Sequence, residues 1–260
     1  MAFNGKVALV TGGGNGMGQI AAWELAKAGA TVAIADLNEQ GMAATKAKYP
    51  DNIHCYKLNV TNTDEVAATV NQIKADLGQI DRLTHAAGIM PTGKISEIDA
   101  GSINSAMSVN YFGTTNIVAA VLPDMLATNR GDIILFGSMA GDVLTLGLGG
   151  YCASKSAVNS YSEVLIHELK DTELRILLVC PPMVNTSLLE QGKENRPASL
   201  QIALDNKDKQ MVTPEFMIAA IEKGIENNAK ILRPGNAKIF VWIRRHFPRL
   251  MWKLVSLAEK

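Results

Sequence analysis

A strand, a glycine-rich loop, a helix, a second strand and a closing acid, packed into about thirty residues, constrain this chain more than any other feature. Lys6 to Thr11 (Lys-Val-Ala-Leu-Val-Thr) is a short apolar, β-branched run that stops at glycines, as a buried parallel strand does. It enters Thr11-Gly12-Gly13-Gly14-Asn15-Gly16-Met17-Gly18, then a helical stretch from Gln19 to Lys27 closed by Gly29, then a strand from Thr31 to Asp36. A glycine at the strand exit takes backbone angles closed to side chains, another lets the main chain approach a pyrophosphate, and a third lets helix and sheet pack closely. The helix amino terminus adds free N–H groups and a favourable dipole for phosphate. Asp36 is placed for the ribose hydroxyls of an adenosine. Its charge would repel a 2′-phosphate, and neither Leu37 nor the glycine loop supplies a Lys or Arg to offset it. The unit predicts a dinucleotide site that takes NAD in preference to NADP.

The alternation continues along the chain. Ile53 to Leu58 reads as a third strand, Thr63 to Leu77 as a helix, and Arg82 to His85 as a fourth strand breaking at Ala86-Ala87-Gly88. Ile103 to Leu126 reads as one long helix containing Asn110. Asp132 to Phe136 is a fifth strand delivering Gly137-Ser138, and Leu174 to Cys180 a sixth that stops at Pro181-Pro182. Strands alternating with helices predict an α/β fold, a doubly wound Rossmann-type parallel sheet with helices on both faces, in three layers. Ligands of such a sheet bind beyond the carboxyl ends of its strands. With 260 residues and 47 % hydrophobic content, one domain over residues 1–260 is expected. The long polar stretch from Met183 to Met211, with Gln191-Gly-Lys-Glu-Asn-Arg-Pro at its middle, is expected to be a mobile substrate loop over about 183–213.

Lys+Arg and Asp+Glu are both 25, so no global field argues for nucleic acid. The three cysteines, Cys55, Cys152 and Cys180, lack metal-ligand spacing. Cys55 and Cys180 fall in apolar strand-like runs and are expected to be buried free thiols, which suits a reducing cytoplasm. The amino terminus enters a strand at once, and no secretory or transit signal fits there. A cytoplasmic location is expected, with no metal.

Tyr151-Cys-Ala-Ser-Lys155 lies in a stretch that reads as a helix from Gly150 to Leu169, which sets the tyrosine and lysine four residues apart on one face. A free phenol has a pKa of about 10. A fixed cation beside it would stabilise the phenolate and pull that value down, fitting the phenol to exchange a proton with an alcohol or ketone. Any surface helix can carry this pair by itself. Its company decides the matter.

With these features in place, the sequence resembles the short-chain dehydrogenase/reductase family over roughly Gly5 to Thr186. Thr-Gly-x-x-x-Gly-x-Gly matches at Thr11 to Gly18, a serine stands thirteen positions before Tyr151 at Ser138, the lysine is Lys155, and Asn110 sits mid-helix. The resemblance implies hydride transfer between nicotinamide C4 and a carbinol carbon. Tyr151 would exchange the proton and Ser138 would hold the substrate oxygen. Lys155 would lower the tyrosine pKa and bind the nicotinamide ribose, and Asn110 would anchor a water linking the lysine to solvent. It also implies cofactor contacts from Gly12, Asn15, Gly16, Met17, Gly18, Asp36, Leu37, Asn59, Val60, Ala86, Ala87, Gly88, Pro181, Val184 and Thr186, besides Tyr151 and Lys155. Relatives are commonly homodimers or homotetramers.

Three departures stand out. His85-Ala86-Ala87-Gly88 replaces the family's Asn-Asn-Ala-Gly, so a ring hydrogen bond from His85 is expected to steady the strand end. Asn59-Val60 replaces Asp-Val, and an amide can still meet an adenine edge as donor and acceptor. Pro181-Pro182 replaces Pro-Gly and stiffens that loop, with Thr186 kept.

The chain closes on an unusual segment, about 236–260. Lys230 to Lys260 carries eight Lys/Arg and one Asp/Glu, so this tail is about +7 and the rest about −7. Pro248 is well placed to open a last helix, on which Arg249, Lys253, Ser256 and Lys260 form a narrow polar stripe and apolar residues fill the rest. Arg244, Arg245 and Pro248 interrupt the apolar run, so it cannot span a bilayer. Such a helix can cover the substrate cleft, form an oligomer interface, or attach peripherally to anionic lipid with Trp242 and Trp252 at headgroup level. An apolar region near the substrate entrance points to a lipophilic secondary alcohol or ketone, steroid-like, retinoid-like or long-chain. The expected activity is that of an NAD-dependent alcohol dehydrogenase. A 3-oxoacyl-type reductase, disfavoured by Asp36, and a non-catalytic dinucleotide sensor or scaffold, disfavoured by the complete Ser138, Tyr151, Lys155 and Asn110 set, are the alternatives.

Overall fold

A computed structural model describes residues 3–191, 195–235 and 237–259. Gly192, Lys193 and Glu194 of the polar stretch and Lys260 of the terminal stripe lie outside the described residues. The chain runs β1 (Val7–Thr11), α1 (Gly16–Lys27), β2 (Thr31–Asp36), α2 (Glu39–Ala47), β3 (Ile53–Lys57), α3 (Thr63–Leu77) and β4 (Ile80–His85). Next come α4 (Ala100–Ala106), a π-helical stretch (Met107–Phe112), α5 (Gly113–Ala127), β5 (Asp132–Phe136), α6 (Gly149–Glu168) and β6 (Arg175–Val179). Last are α7 (Ala198–Asp205), α8 (Lys207–Gln210), α9 (Pro214–Glu226), β7 (Ile231–Leu232), α10 (Ala237–His246) and α11 (Pro248–Ala258). Seven parallel strands stand in the order β3-β2-β1-β4-β5-β6-β7. The order reverses between β1 and β4, which opens a crevice beyond their carboxyl ends.

Period-two alternation sorts each central strand between two cores. Leu9, Leu83, Ile133 and Leu178 face a layer formed by Val66 and Val70 of α3, Ile117 and Val121 of α5, and Leu165 of α6. Val10, Ile34, Ile134 and Leu177 face the opposite layer, formed by Ala22 and Leu25 of α1 and Met217 and Ile221 of α9. Each fully buried Leu or Ile contributes about 1.5–3 kcal/mol. The three-layer arrangement therefore follows from the strands being apolar on both faces. At the amino edge of the sheet the Arg82 guanidinium is 1 % exposed and donates to Asp132 at 2.8 Å and Glu222 at 2.6 Å, while Arg175 also donates to Asp132. These pairings keep buried charges compensated, at the end of the sheet away from the strand exits that carry chemistry.

Four expectations need correction. The long helix starts at Ala100 and is interrupted by the π-helical stretch around Asn110. The stretch from Met183 to Met211 holds a short 3-10 turn (Ser187–Glu190), α7 and α8, because Leu189, Leu200, Ala203 and Leu204 find apolar burial. Cys55 is exposed: β3 is an edge strand paired on one side with β2, and the thiol reaches the Met42 carbonyl of α2 at 3.6 Å without being enclosed. The patterning also missed α2 and the two-residue strand β7.

Candidate active site

The exits of β1, β2, β4, β5 and β6 border one cavity of about 450 Å3. Gly12 leaves β1 with φ +69°, and a Cβ there would stand 2.7 Å from the Ala87 nitrogen. A Cβ on Gly18 would stand 2.2 Å from the Gly12 carbonyl oxygen, so only glycine lets α1 pack this close to the strand exit. Asn15 precedes α1 in extended conformation, and its side chain makes no capping hydrogen bond to the helix. The first-turn N–H groups of α1 are thereby left for an anion, and Gly12, Asn15, Gly16, Met17 and Gly18 all line the cavity. This backbone cradle fits a pyrophosphate.

Asp36 ends β2 at the cavity wall beside Leu37. Its two oxygens accept from the N–H groups of Gly14 and Asn38, both at 2.9 Å, which fixes the carboxylate plane and leaves each oxygen further acceptor capacity. Asn59 and Val60 border the same end. The Asn59 Oδ1 accepts from both the N–H and the hydroxyl of Thr61, so this side chain meets a ligand with its N–H2 donors and not as donor and acceptor together. Ala86, Ala87 and Gly88 line the middle of the cavity, and Pro181, Val184 and Thr186 the side beyond β6.

The ring hydrogen bond expected of His85 is made with Thr11. His85 Nδ1 and the Thr11 hydroxyl are 2.7 Å apart, and that hydroxyl also accepts from the Ala87 N–H at 3.4 Å. Thr11 and His85 together do what a side-chain amide would do at this strand end. The ring is buried, its Nε2 has no hydrogen-bond partner, and burial followed by the nearby Lys155 charge pushes its pKa down to about 3.

Ser138, Tyr151 and Lys155 come together on the cavity wall. Tyr151 lies in the first turn of α6 and Lys155 one turn on, with its Nζ 5.9 Å from the tyrosine ring centre. The lysine ammonium donates to the Phe136 carbonyl at the end of β5, at 2.6 Å. Burial pushes the Tyr151 pKa up to about 12, against the lowering effect of a hydrogen bond with Ser138. Burial also pulls Lys155 down to about 8. The expected lowering of the phenol pKa by the lysine is therefore overturned for the protein alone. Desolvation of a group nearly enclosed by protein outweighs a cation that is itself partly satisfied by a carbonyl.

Asn110 lies behind this wall, 1 % exposed, and does not line the cavity. Its amide donates to the Ile89 carbonyl and the Ser154 hydroxyl, both at 2.9 Å, while its Oδ1 accepts from the Ile89 N–H at 2.8 Å. It thus clamps the exit of β4 to α6. Two further residues, missed in the sequence, hold the site. Ser154 donates to the Tyr151 carbonyl, and Asn159 brackets the Ser138 main chain through its N–H at 3.3 Å and its carbonyl at 3.1 Å. The available signal was position: Ser154 lies between the tyrosine and lysine, and Asn159 follows Lys155 by one helical turn. Gln191 accepts from the Met90 N–H and ties the segment after β6 to the exit of β4. Away from the glycine loop, Met90, Leu148, Tyr151, Leu189 and Leu200 form an apolar cluster around the tyrosine.

Known proteins carry the same architecture. The family profile described as short chain dehydrogenase matches residues 6–197. Estradiol 17-beta-dehydrogenase 11 of Rattus norvegicus is 27 % identical over 251 residues, 94 % of this chain and 80 % of that protein. Epidermal retinol dehydrogenase 2 of Mus musculus is 27 % identical over 205 residues, 76 % of this chain and 66 % of that protein. The crystal structure of a short-chain dehydrogenase/reductase from Burkholderia phymatum in complex with NAD superposes with a TM-score of 0.84 at 26 % identity, covering 96 % of both chains. Glycine cradle, parallel sheet and a matched profile over most of the chain agree, and the protein belongs to the short-chain dehydrogenase/reductase family, oxidoreductases acting on CH–OH groups.

Proposed function

We propose that this protein transfers a hydride between NAD and a lipophilic secondary alcohol or its ketone, with Tyr151 exchanging the proton. The observation that carries the reading is the convergence of Tyr151, Ser138 and Lys155 on the same cavity as the glycine cradle and Asp36. A bound nicotinamide would supply the hydride acceptor or donor at C4. Oxidation converts the alcohol and NAD⁺ to ketone, NADH and one proton, and that proton passes through the Tyr151 hydroxyl. Ser138 holds the substrate oxygen beside the phenol, a positioning role. Lys155, anchored on the Phe136 carbonyl, directs its remaining N–H donors toward the nicotinamide ribose and keeps a positive charge near the phenol. Asn110 is a positioning residue, and a water relay through it would start from the second lone pair of Oδ1, since both amide hydrogens are engaged.

Asp36 supports NAD. Among the described residues lining the cavity, the only Lys or Arg is Lys155, so nothing at the Asp36 end would compensate a 2′-phosphate. The Burkholderia phymatum protein, with its bound NAD, is in keeping with this. Met90, Leu148, Leu189 and Leu200 support an apolar substrate, as do the estradiol and retinol dehydrogenases among the relatives. The test is Tyr151→Phe: NADH binding is expected to persist while turnover of secondary alcohols falls at least a hundredfold, in the range of a lost acid–base group, about 10²–10⁴. Turnover near that of the parent protein would refute the role.

A further inference from the structure

Among the described residues, eight of the sixteen exposed large apolar side chains fall between Ile239 and Leu257, seven on α10 and α11 and Phe247 between them. The two helices pack chiefly against each other. On α10, Ile239 and Trp242 share a face three residues apart, and Lys238 and Arg245 flank it. On α11, Leu250, Leu254 and Leu257 recur at i, i+4 and i+7 beside Arg249 and Lys253, while Met251 turns inward. Residues 227–258 contain seven Lys/Arg and no Asp/Glu. An open groove of about 510 Å3 between β7 and α10 is lined by Arg233, Lys238, Arg245 and His246 together with Trp242. Arg233 is held by Asp142 at 3.0 Å, which leaves Lys238 and Arg245 as the outward cations of this groove.

We propose that α10 and α11 dock the protein on an anionic lipid surface, their apolar faces in the headgroup region and lipid phosphates beside Lys238 and Arg245. Charge selects this occupant over a second copy of the chain. A two-fold interface would press the same cationic, carboxylate-free face against itself, with no opposite charge to meet it. An anionic bilayer instead offers negative charge and an apolar layer in the order that the helices require, and aromatic rings suit the boundary between them. No helix among the described residues is long and apolar enough to cross the bilayer, so the contact is peripheral.

The end of α11 is tied to an element that lines the cavity. Glu259, following α11, accepts from the Ala198 N–H at 2.8 Å and the Ser199 N–H at 3.4 Å, and Ser199 and Leu200 at the start of α7 line the cavity. A lipophilic substrate dissolved in the bilayer would thus enter by a short path. That entry path rests on the proposed substrate class, whereas the docking itself does not and is tested without turnover.

The full chain is sedimented with phosphatidylcholine vesicles, pure or carrying about 30 % phosphatidylserine. Partitioning onto the anionic vesicles only is expected, with at least a tenfold loss in the double variant Lys238→Glu, Arg245→Glu, both exposed positions, at unchanged NADH affinity. Equal partitioning of parent and variant, or none by the parent, overturns the proposal. So does self-association of the parent that the same substitutions abolish without vesicle binding, which would assign the face to a second copy. Should the variant not fold, brominated anionic vesicles decide on the parent alone: quenched tryptophan emission supports docking, and unquenched emission rejects it.

Discussion

The Lys155 ammonium donates to the Phe136 carbonyl at 2.6 Å and stands 5.9 Å from the centre of the Tyr151 ring. The cation is held near the phenol without offsetting the cost of burying it, so Tyr151 is a neutral phenol in the protein alone, its pKa pushed up to about 12. In that form it can protonate a ketone at once, whereas oxidation must first remove its proton. A positive nicotinamide brought alongside would favour the phenolate. The difference in phenolate absorbance between the parent and Tyr151→Phe is therefore expected to show no ionisation of Tyr151 below about pH 10 without cofactor. Adding NAD⁺ should move that ionisation downward, and NADH should not. Phenolate near neutral pH in the cofactor-free protein would mean that Lys155 suffices alone.

Cofactor choice is expected to rest on one carboxylate. Asp36 is fixed by the Gly14 and Asn38 N–H groups, so its acceptor directions are set before any ligand arrives. A hydrogen bond to a charged group is worth about 1.5–3 kcal/mol, a factor of roughly ten to a hundred. Asp36→Ala should lower the ratio of kcat/KM with NAD to that with NADP by at least tenfold, and Leu37→Arg added to it should reverse the preference. A ratio unchanged by both substitutions would place the discrimination elsewhere.

What could be read in the sequence was what depends on near neighbours. The all-apolar run at Val7–Thr11, the glycine spacing after it and the acid at Asp36 are contiguous, and each is imposed by local sterics or burial. Ser138, Tyr151 and Lys155 were legible because strand-to-helix spacing brings them together. The remainder needed tertiary context. β7 has two residues and exists only through its pairing with β6, and the exposure of Cys55 follows from β3 lying at the edge of the sheet. Ser154 and Asn159 look like surface residues of a helix until the Asn110 side chain and the Ser138 backbone are set against them. The direction of the Tyr151 shift likewise depends on how deeply the ring is buried, which spacing alone does not give.

His85 makes the fold sensitive to acid. Its folded pKa is lowered to about 3, against about 6.5 in the unfolded chain, so between these values the unfolded chain binds the extra proton. Stability from this group is full above about pH 6.5 and is lost as pH falls through that window, by up to about 1.4 kcal/mol per pH unit. His85→Asn retains a partner for Thr11 and has no titrating ring. Urea unfolding at pH 7 and at pH 5 should show the parent losing more stability than the variant over that interval. Parallel losses would mean that the ring can protonate in place.

The apolar wall predicts how substrates rank. Met90, Leu148, Leu189 and Leu200 surround Tyr151 where the carbinol carbon must sit, so each methylene added to the substrate leaves water for a packed apolar surface. Burying a methylene is worth about 0.8 kcal/mol, close to a fourfold change in kcat/KM. Along a homologous series of secondary alcohols, kcat/KM should climb by about that factor per carbon until the cavity is full, while small hydroxy acids and sugars remain poor substrates. Leu200→Ser should flatten the climb, because a hydroxyl at that wall favours water over the alkyl chain, and it should leave NADH affinity unaltered. A series that is flat in the parent protein, or one topped by the polar substrates, would show that the wall serves packing alone and would remove the lipophilic assignment.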